Sequence, residues 1–183
     1  RSPSSDDKIN EMNIRPIWTD DDLYTIKAAV TPAQNATAED TAKLMIKQII
    51  KARKDYKGSG NPTLFTTEDM LTDMLLIQDT TGRDIYDTEE KLRTKLRVKE
   101  IVTVPVMEGL TRTDNQSKTR KLAGIIVNLA DYNVGADKGG AINMFDDFDI
   151  DYNQEKYLIE TRCSGAMIKP YSAIAVEVVE SAG

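Results

Sequence analysis

Phe145-Asp146-Asp147-Phe148-Asp149-Ile150-Asp151-Tyr152-Asn153 is the stretch on which the fold class turns. Phe148, Ile150 and Tyr152 alternate with Asp147, Asp149, Asp151 and Asn153, a period of two that fits an extended strand and no helix. The pattern predicts a strand whose apolar side chains pack while its carboxylates face water. Neighbouring segments read the same way. Residues 122–129, 141–153, 156–164 and 172–179 are all strand-like, with a turn through 135–140. The second half of the chain is therefore expected to be rich in strands.

Upstream the period changes. Ala42, Met45, Ile46, Ile49, Ala52 and Tyr56 recur at helical spacing. Thr37 and Asp40 form a near capping box, and Gly58 is expected to close the helix just beyond its C-cap. The outer face carries Lys43, Lys47, Lys51 and Lys54, the pattern of a solvated helix face. A short strand over 62–66 leads to a second helix capped by Thr66 or Thr67 and bearing Met70, Leu71, Met74, Leu75 and Ile77. Residues 79–82 read as a tight turn with Gly82 at positive φ. A third helix is expected over 89–97 through Leu92 and Leu96, then a strand over 101–106 with Pro105 near its end. Residues 111–121 hold no large apolar residue and read as an exposed, locally basic loop. Helices with short strands first and a strand-rich end later make the chain α+β. Residues 1–30 are read as an N-terminal extended segment, and 31–183 as the domain.

Composition narrows the chemistry. The 183 residues hold 24 basic and 30 acidic side chains, a net charge of −6, which does not suit a general nucleic-acid binder. Histidine is absent, which removes His-dependent triads and dyads, His-ligated zinc and an imidazole pH switch. The single cysteine, Cys163, excludes an internal disulfide and any CxxC motif. The nearly apolar run Leu122-Ala123-Gly124-Ile125-Ile126-Val127 is far shorter than the ~18 residues of a membrane-spanning helix, so no membrane partner is expected. The opening Arg1-Ser2-Pro3-Ser4-Ser5-Asp6-Asp7-Lys8 has no apolar stretch for a signal peptide and no initiator methionine, and the chain is expected to be a processed product or a fragment.

An EF-hand loop starting at Asp147 would need glycine where Tyr152 stands and a glutamate where Leu158 stands, so no metal is expected. Paired carboxylates suit a glycosidase, yet nothing in the spacing places one in an apolar and the other in a polar environment. The glycines at 135, 139 and 140 form neither GxGxxG nor a Walker A loop. Cys163, on a strand with Tyr157, Ile159 and Thr161, reads as a small core residue, and Trp18 as a packing aromatic. The expectation is a non-enzymatic binding or structural protein without cofactors. A small carboxylate-dependent hydrolase is the alternative from another class.

The run from Phe145 to Asn153, continuing through Glu160-Thr161-Arg162, the small residues to Ala166, and Pro170 with Ala173, resembles the end of tailed-bacteriophage major capsid proteins. The helix over 39–56, Asn61-Pro62, the next helix, Asp79-Thr80-Thr81-Gly82-Arg83-Asp84-Ile85-Tyr86 and Val104-Pro105-Val106 follow in an order similar to that family's axial domain. The resemblance covers about residues 30–180. It implies a capsid fold of the Hong Kong phage type: a mixed or antiparallel sheet flanked by helices, with long C-terminal strands of the peripheral domain. It implies a shell subunit of a phage or prophage capsid that assembles into pentamers and hexamers in the bacterial cytoplasm and resides in the virion. Portal and scaffold proteins would be further partners, and packaged DNA a weak contact.

Residues 1–36 have no room for the family's N-terminal arm, extended loop and spine helix. The chain is accordingly expected to be a fragment, monomeric or weakly oligomeric. An encapsulin-like compartment is the alternative within the fold. The resemblance also marks Asn153 and Glu160 as candidates for an intersubunit isopeptide crosslink to a lysine outside this chain. Seven residues apart, they lie on opposite faces of a regular strand, so a joint site would draw on different subunits.

Overall fold

The computed structural model describes residues 14–114, 117–136, 143–149, 151–160 and 163–179. The apolar run at 122–127 lies inside the longest strand, β5 (Thr119–Val127), which organises a six-stranded mixed sheet. One edge of β5 is shared: its first residues pair antiparallel with β4 (Thr111–Thr113), and its last with β2 (Thr63–Thr66). β10 (Ala173–Val179) takes the opposite edge, again antiparallel. Parallel pairs complete the sheet: β1 (Thr25–Val30) lies beside β10, and β3 (Ile101–Thr103) beside β2. β1, drawn from the N-terminal segment, is thus an edge strand of the central sheet.

Three helices cover one face. α1 (Ala38–Ala52) buries Ala42, Met45, Ile46, Ile49 and Ala52, which pack with Val30, Leu64, Ile126, Ile174 and Val176 of the sheet. Its capping box is complete, with Thr37 Oγ1 accepting from Asp40 N and the Asp40 carboxylate accepting from Thr37 N. α2 (Glu68–Leu75) is capped by Thr67 and contributes Leu71 and Met74. α3 (Glu89–Leu96) contributes Leu92 and Leu96 and ends at Arg97 in the left-handed region. Between α2 and α3, Gly82 takes φ +78° while Asp79 Oδ1 accepts from Thr81 N and Arg83 N, which closes the expected turn. The other sheet face is covered by Ile17, Tyr24, Tyr132 and Met167 around Val127 and Ala173. Covered on both sides, β10 needs the near-continuous apolar run it has.

Two small ribbons are not hydrogen-bonded into the sheet. β6 (Tyr132–Ala136) pairs antiparallel with β9 (Cys163–Met167), and β7 (Asn143–Asp149) with β8 (Gln154–Glu160).

Several sequence expectations need correction. α1 stops at Ala52 rather than at Tyr56, because the chain turns there and Arg53 Nη2 donates to Arg97 O. Gly58 is not the closing residue; a Cβ there would meet the Tyr56 ring, which would have to shift. The strand over 101–106 is cut short, since Pro105 has no N–H to donate and opens a 3-10 turn over Pro105–Met107. Residues 111–121 are not a loop throughout: β4 and the start of β5 form a hairpin there. The strand expected over 156–164 is divided between β8 and β9. Cys163 is exposed, not core, because β9 pairs with β6 and not with the strand that carries Tyr157 and Ile159. Phe148 and Tyr152 are not packed either, at 53% and 75% exposure. Their ribbon lies apart from the core, and Tyr152 belongs to the turn that joins β7 to β8. Ile150 lies outside the described residues, as do 137–140 of the expected turn and 141–142 of the expected strand.

Candidate functional site

The most concentrated polar chemistry lies at the end of β10. An irregularity in register between Val176 and Glu177 interrupts the pairing with β5 at a carboxylate that is 0% exposed. Glu177 Oε1 accepts from Trp18 Nε1 at 2.7 Å and from Arg112 Nε at 2.7 Å. Oε2 accepts from Arg112 Nη2 at 3.0 Å and from Arg120 Nη1 at 3.5 Å. Arg120 Nε in turn donates to Asp114 Oδ2 at 2.7 Å. The hydrogen bond to Glu177 raises the Arg112 pKa, and burial pushes the nearby Lys27 ammonium down. Lys27 donates to Asp20 O at 2.8 Å, and both residues line a cavity of about 570 Å³.

With donors on both oxygens, Glu177 is a poor general base. It ties β10, β4, β5 and the N-terminal segment together. Glu177, Arg112 and Arg120 carry no motif that marks them in the sequence. The available signal was a lone glutamate in Ala173-Ile174-Ala175-Val176-Glu177-Val178-Val179, since a charge amid a buried run needs a partner.

A second cluster joins the loop after α1 to the 128–131 turn. Ser59 N and Oγ both donate to Asp131 at 2.6 Å, Asn128 Nδ2 donates to Ser59 O at 2.7 Å, and Lys169 Nζ donates to Ser59 Oγ at 3.3 Å. Serine beside lysine and aspartate resembles a nucleophile set. Here Lys169 is exposed and donates a hydrogen bond to the hydroxyl, which itself donates to Asp131, so the arrangement is not that of a base activating a nucleophile. The cluster is a staple. Among the described residues no group of three or more acidic or cysteine ligands could hold a metal ion, and no helix is long and apolar enough to cross a membrane.

The β7–β8 ribbon carries the family-suggested residues. Asn153 sits in its turn at φ +48°, and Glu160 ends β8 opposite Asn143. Seven strand residues separate them by about 23 Å, so they do not meet within one chain. Met144, Phe145, Phe148, Tyr157, Leu158 and Ile159 of this ribbon are each more than half exposed. Lys156 pairs with Asp149.

No family model matches the chain, and no curated protein matches it. Among solved structures it is similar to a chain from Mycobacterium phage Ogopogo at 10% identity and a TM-score of 0.44, covering 82% of this chain and 53% of that one. It is similar also to a chain from the capsid structure of the cyanophage P-SCSP1u at 13% identity and a TM-score of 0.44, covering 86% and 54% respectively. The chain spans about half the length of these two relatives.

Proposed function

We propose that this chain is a structural subunit of a closed protein shell, of the tailed-phage capsid type, without catalytic turnover. One observation carries the reading: the core is filled, yet a two-stranded ribbon holds six large apolar residues out to solvent. A ribbon of two strands is at best marginal in water by itself, and an exposed apolar patch of this kind marks a surface that a neighbour covers. The ordered series that resembles the capsid family supports the same conclusion.

In that reading the sheet with α1 to α3 is the axial domain of a Hong Kong-type fold, and the β7–β8 ribbon belongs to the peripheral domain. The subunits form pentamers and hexamers in the bacterial host, with scaffold and portal proteins as further partners, and the product resides in the virion. The net charge of −6 keeps packaged DNA a weak contact. Asn153 and Glu160 belong to a crosslink between subunits. A lysine amine from elsewhere attacks the Asn153 amide carbon, a C–N bond forms, ammonia leaves, and Glu160 relays the proton.

Electron microscopy of the whole gene product expressed in bacteria tests the reading. Uniform closed shells are the expected result. Soluble monomers with a hydrolytic activity that disappears on changing one carboxylate would replace the proposal with the hydrolase alternative. Boiled mature shells should give covalent ladders that vanish in Asn153→Asp, and monomer bands alone would remove the crosslink.

A further inference from the structure

The outward face of α1 carries one stripe, Lys43, Lys47, Ile50 and Lys51, with Lys54 in the turn just beyond its C-cap, all exposed. Lys43 pairs with Glu39 at 2.7 Å and Lys54 lies 3.9 Å from Asp55. Lys47 and Lys51, among the described residues, have no carboxylate within salt-bridge reach. The stripe is thus basic, with an uncovered isoleucine at its centre.

The β7–β8 ribbon is its converse. Alternation puts Met144, Asp146 and Phe148 on one face with their cross-strand partners Ile159, Tyr157 and Glu155. Four of these are large apolar side chains, each more than half exposed, and two are acids. Asp146 and Glu155 stand about 7 Å apart along the ribbon, because Glu155 pairs with Phe148, two residues beyond Asp146. Lys47 and Lys51 stand about 6 Å apart along the helix, one turn.

We propose that this ribbon face of one copy docks on the α1 stripe of a second copy, with Asp146 and Glu155 against Lys47 and Lys51 and the ribbon's apolar side chains around Ile50. The inference rests on the reading of the chain as one of many identical subunits. It adds which surfaces meet. Two different patches meet, so the contact is heterologous and repeats around a ring when the rotation closes. It is polar at its rim and small, so in solution the 183-residue chain associates weakly, with a dissociation constant of roughly 0.1–1 mM at low salt.

Charge exchange tests the contact. One variant carries Lys47→Glu and Lys51→Glu, the other Asp146→Lys and Glu155→Lys. All four side chains are exposed, and equal melting temperatures establish that both variants fold. If either does not fold, the neutral pairs Lys47→Gln with Lys51→Gln and Asp146→Asn with Glu155→Gln replace them. Sedimentation equilibrium should show wild-type association that weakens as salt rises from about 0.05 M to about 0.5 M. Each charge-reversed variant alone should associate about tenfold more weakly.

An equal mixture of the two reversed variants should recover association, because the ribbon of the first meets the native stripe of the second. The proposal is overturned by no wild-type association, by a double variant that leaves association unchanged, or by a mixture that behaves as its components do. Binding of short duplex DNA lost only in the lysine variant, with self-association unaffected, would assign the stripe to nucleic acid. Uniform shells from the whole gene product carrying these same substitutions would leave the shell reading intact and remove this contact alone.

Discussion

Glu177 shows what a single residue does in this molecule. Its carboxylate is fully buried, and what compensates it is the Arg112 fork, the Trp18 indole N–H and the edge of Arg120. Removing one partner of such a pair strands the other, whereas replacing both with apolar groups restores most of the loss. Glu177→Ala should therefore lower stability by about 3 kcal/mol in urea unfolding, with Glu177→Leu combined with Arg112→Leu losing clearly less. A double variant at least as unstable as the single one would show that the pair is not a coupled unit.

Asp40 offers a test of pH dependence. Hydrogen bonds from the Thr37 hydroxyl and backbone N–H hold its carboxyl below the usual value. A depressed folded pKa stabilises above the unfolded value of about 3.9, and that contribution is lost as pH falls through the folded value. The stability difference between wild type and Asp40→Asn should be constant above about pH 5 and shrink as pH falls through the folded value. Unfolding curves across that range check the sign.

At the scale of elements, α1 and the β7–β8 ribbon are opposites. α1 has one buried stripe, one lysine stripe and a closed capping box, so each part of its sequence agrees with its place. Ile49→Ala should cost about 2–4 kcal/mol as a core truncation, and Thr37→Ala about 1 kcal/mol as a lost cap. Ile159→Ala, 66% exposed on the ribbon, should change the stability of the isolated chain by no more than about 0.5 kcal/mol. Thermal and urea melts of the three variants check this order, and a costly Ile159→Ala would mean that the ribbon packs on its own chain.

The helices were legible because a 3.6-residue period and a cap are local facts. The expected strand over 101–106 was misjudged past Thr103 because a proline's missing N–H counts only against a particular neighbour. The alternation at 145–153 is extended structure only as far as Asp149, because Asp151–Asn153 form a turn, and its described apolar residues are exposed rather than packed. Period two shows that two faces differ, and it is silent on what covers either one.

On the scale of the whole molecule, a buried core stands beside a ribbon whose large apolar side chains are exposed. The isolated chain should be monomeric at low micromolar concentration, since a stable interface needs about 1,000 Å² or more, and light scattering checks this. Discrete tight oligomers there would require a larger contact than ribbon against helix. The α+β class, the three helices with their starts, the Asp79–Gly82 turn and the strand character of the second half were determined by the sequence alone, because periodicity, caps and turn residues act within a few positions.

Only the tertiary structure decided that β1 joins β10 in parallel, that Arg112 and Arg120 leave an apparent basic loop to meet Glu177, and that Cys163 faces solvent. These depend on which strand lies beside which. Pairing across 50 to 150 residues of chain is settled by the sum of many weak contacts, and no local stretch of sequence records it.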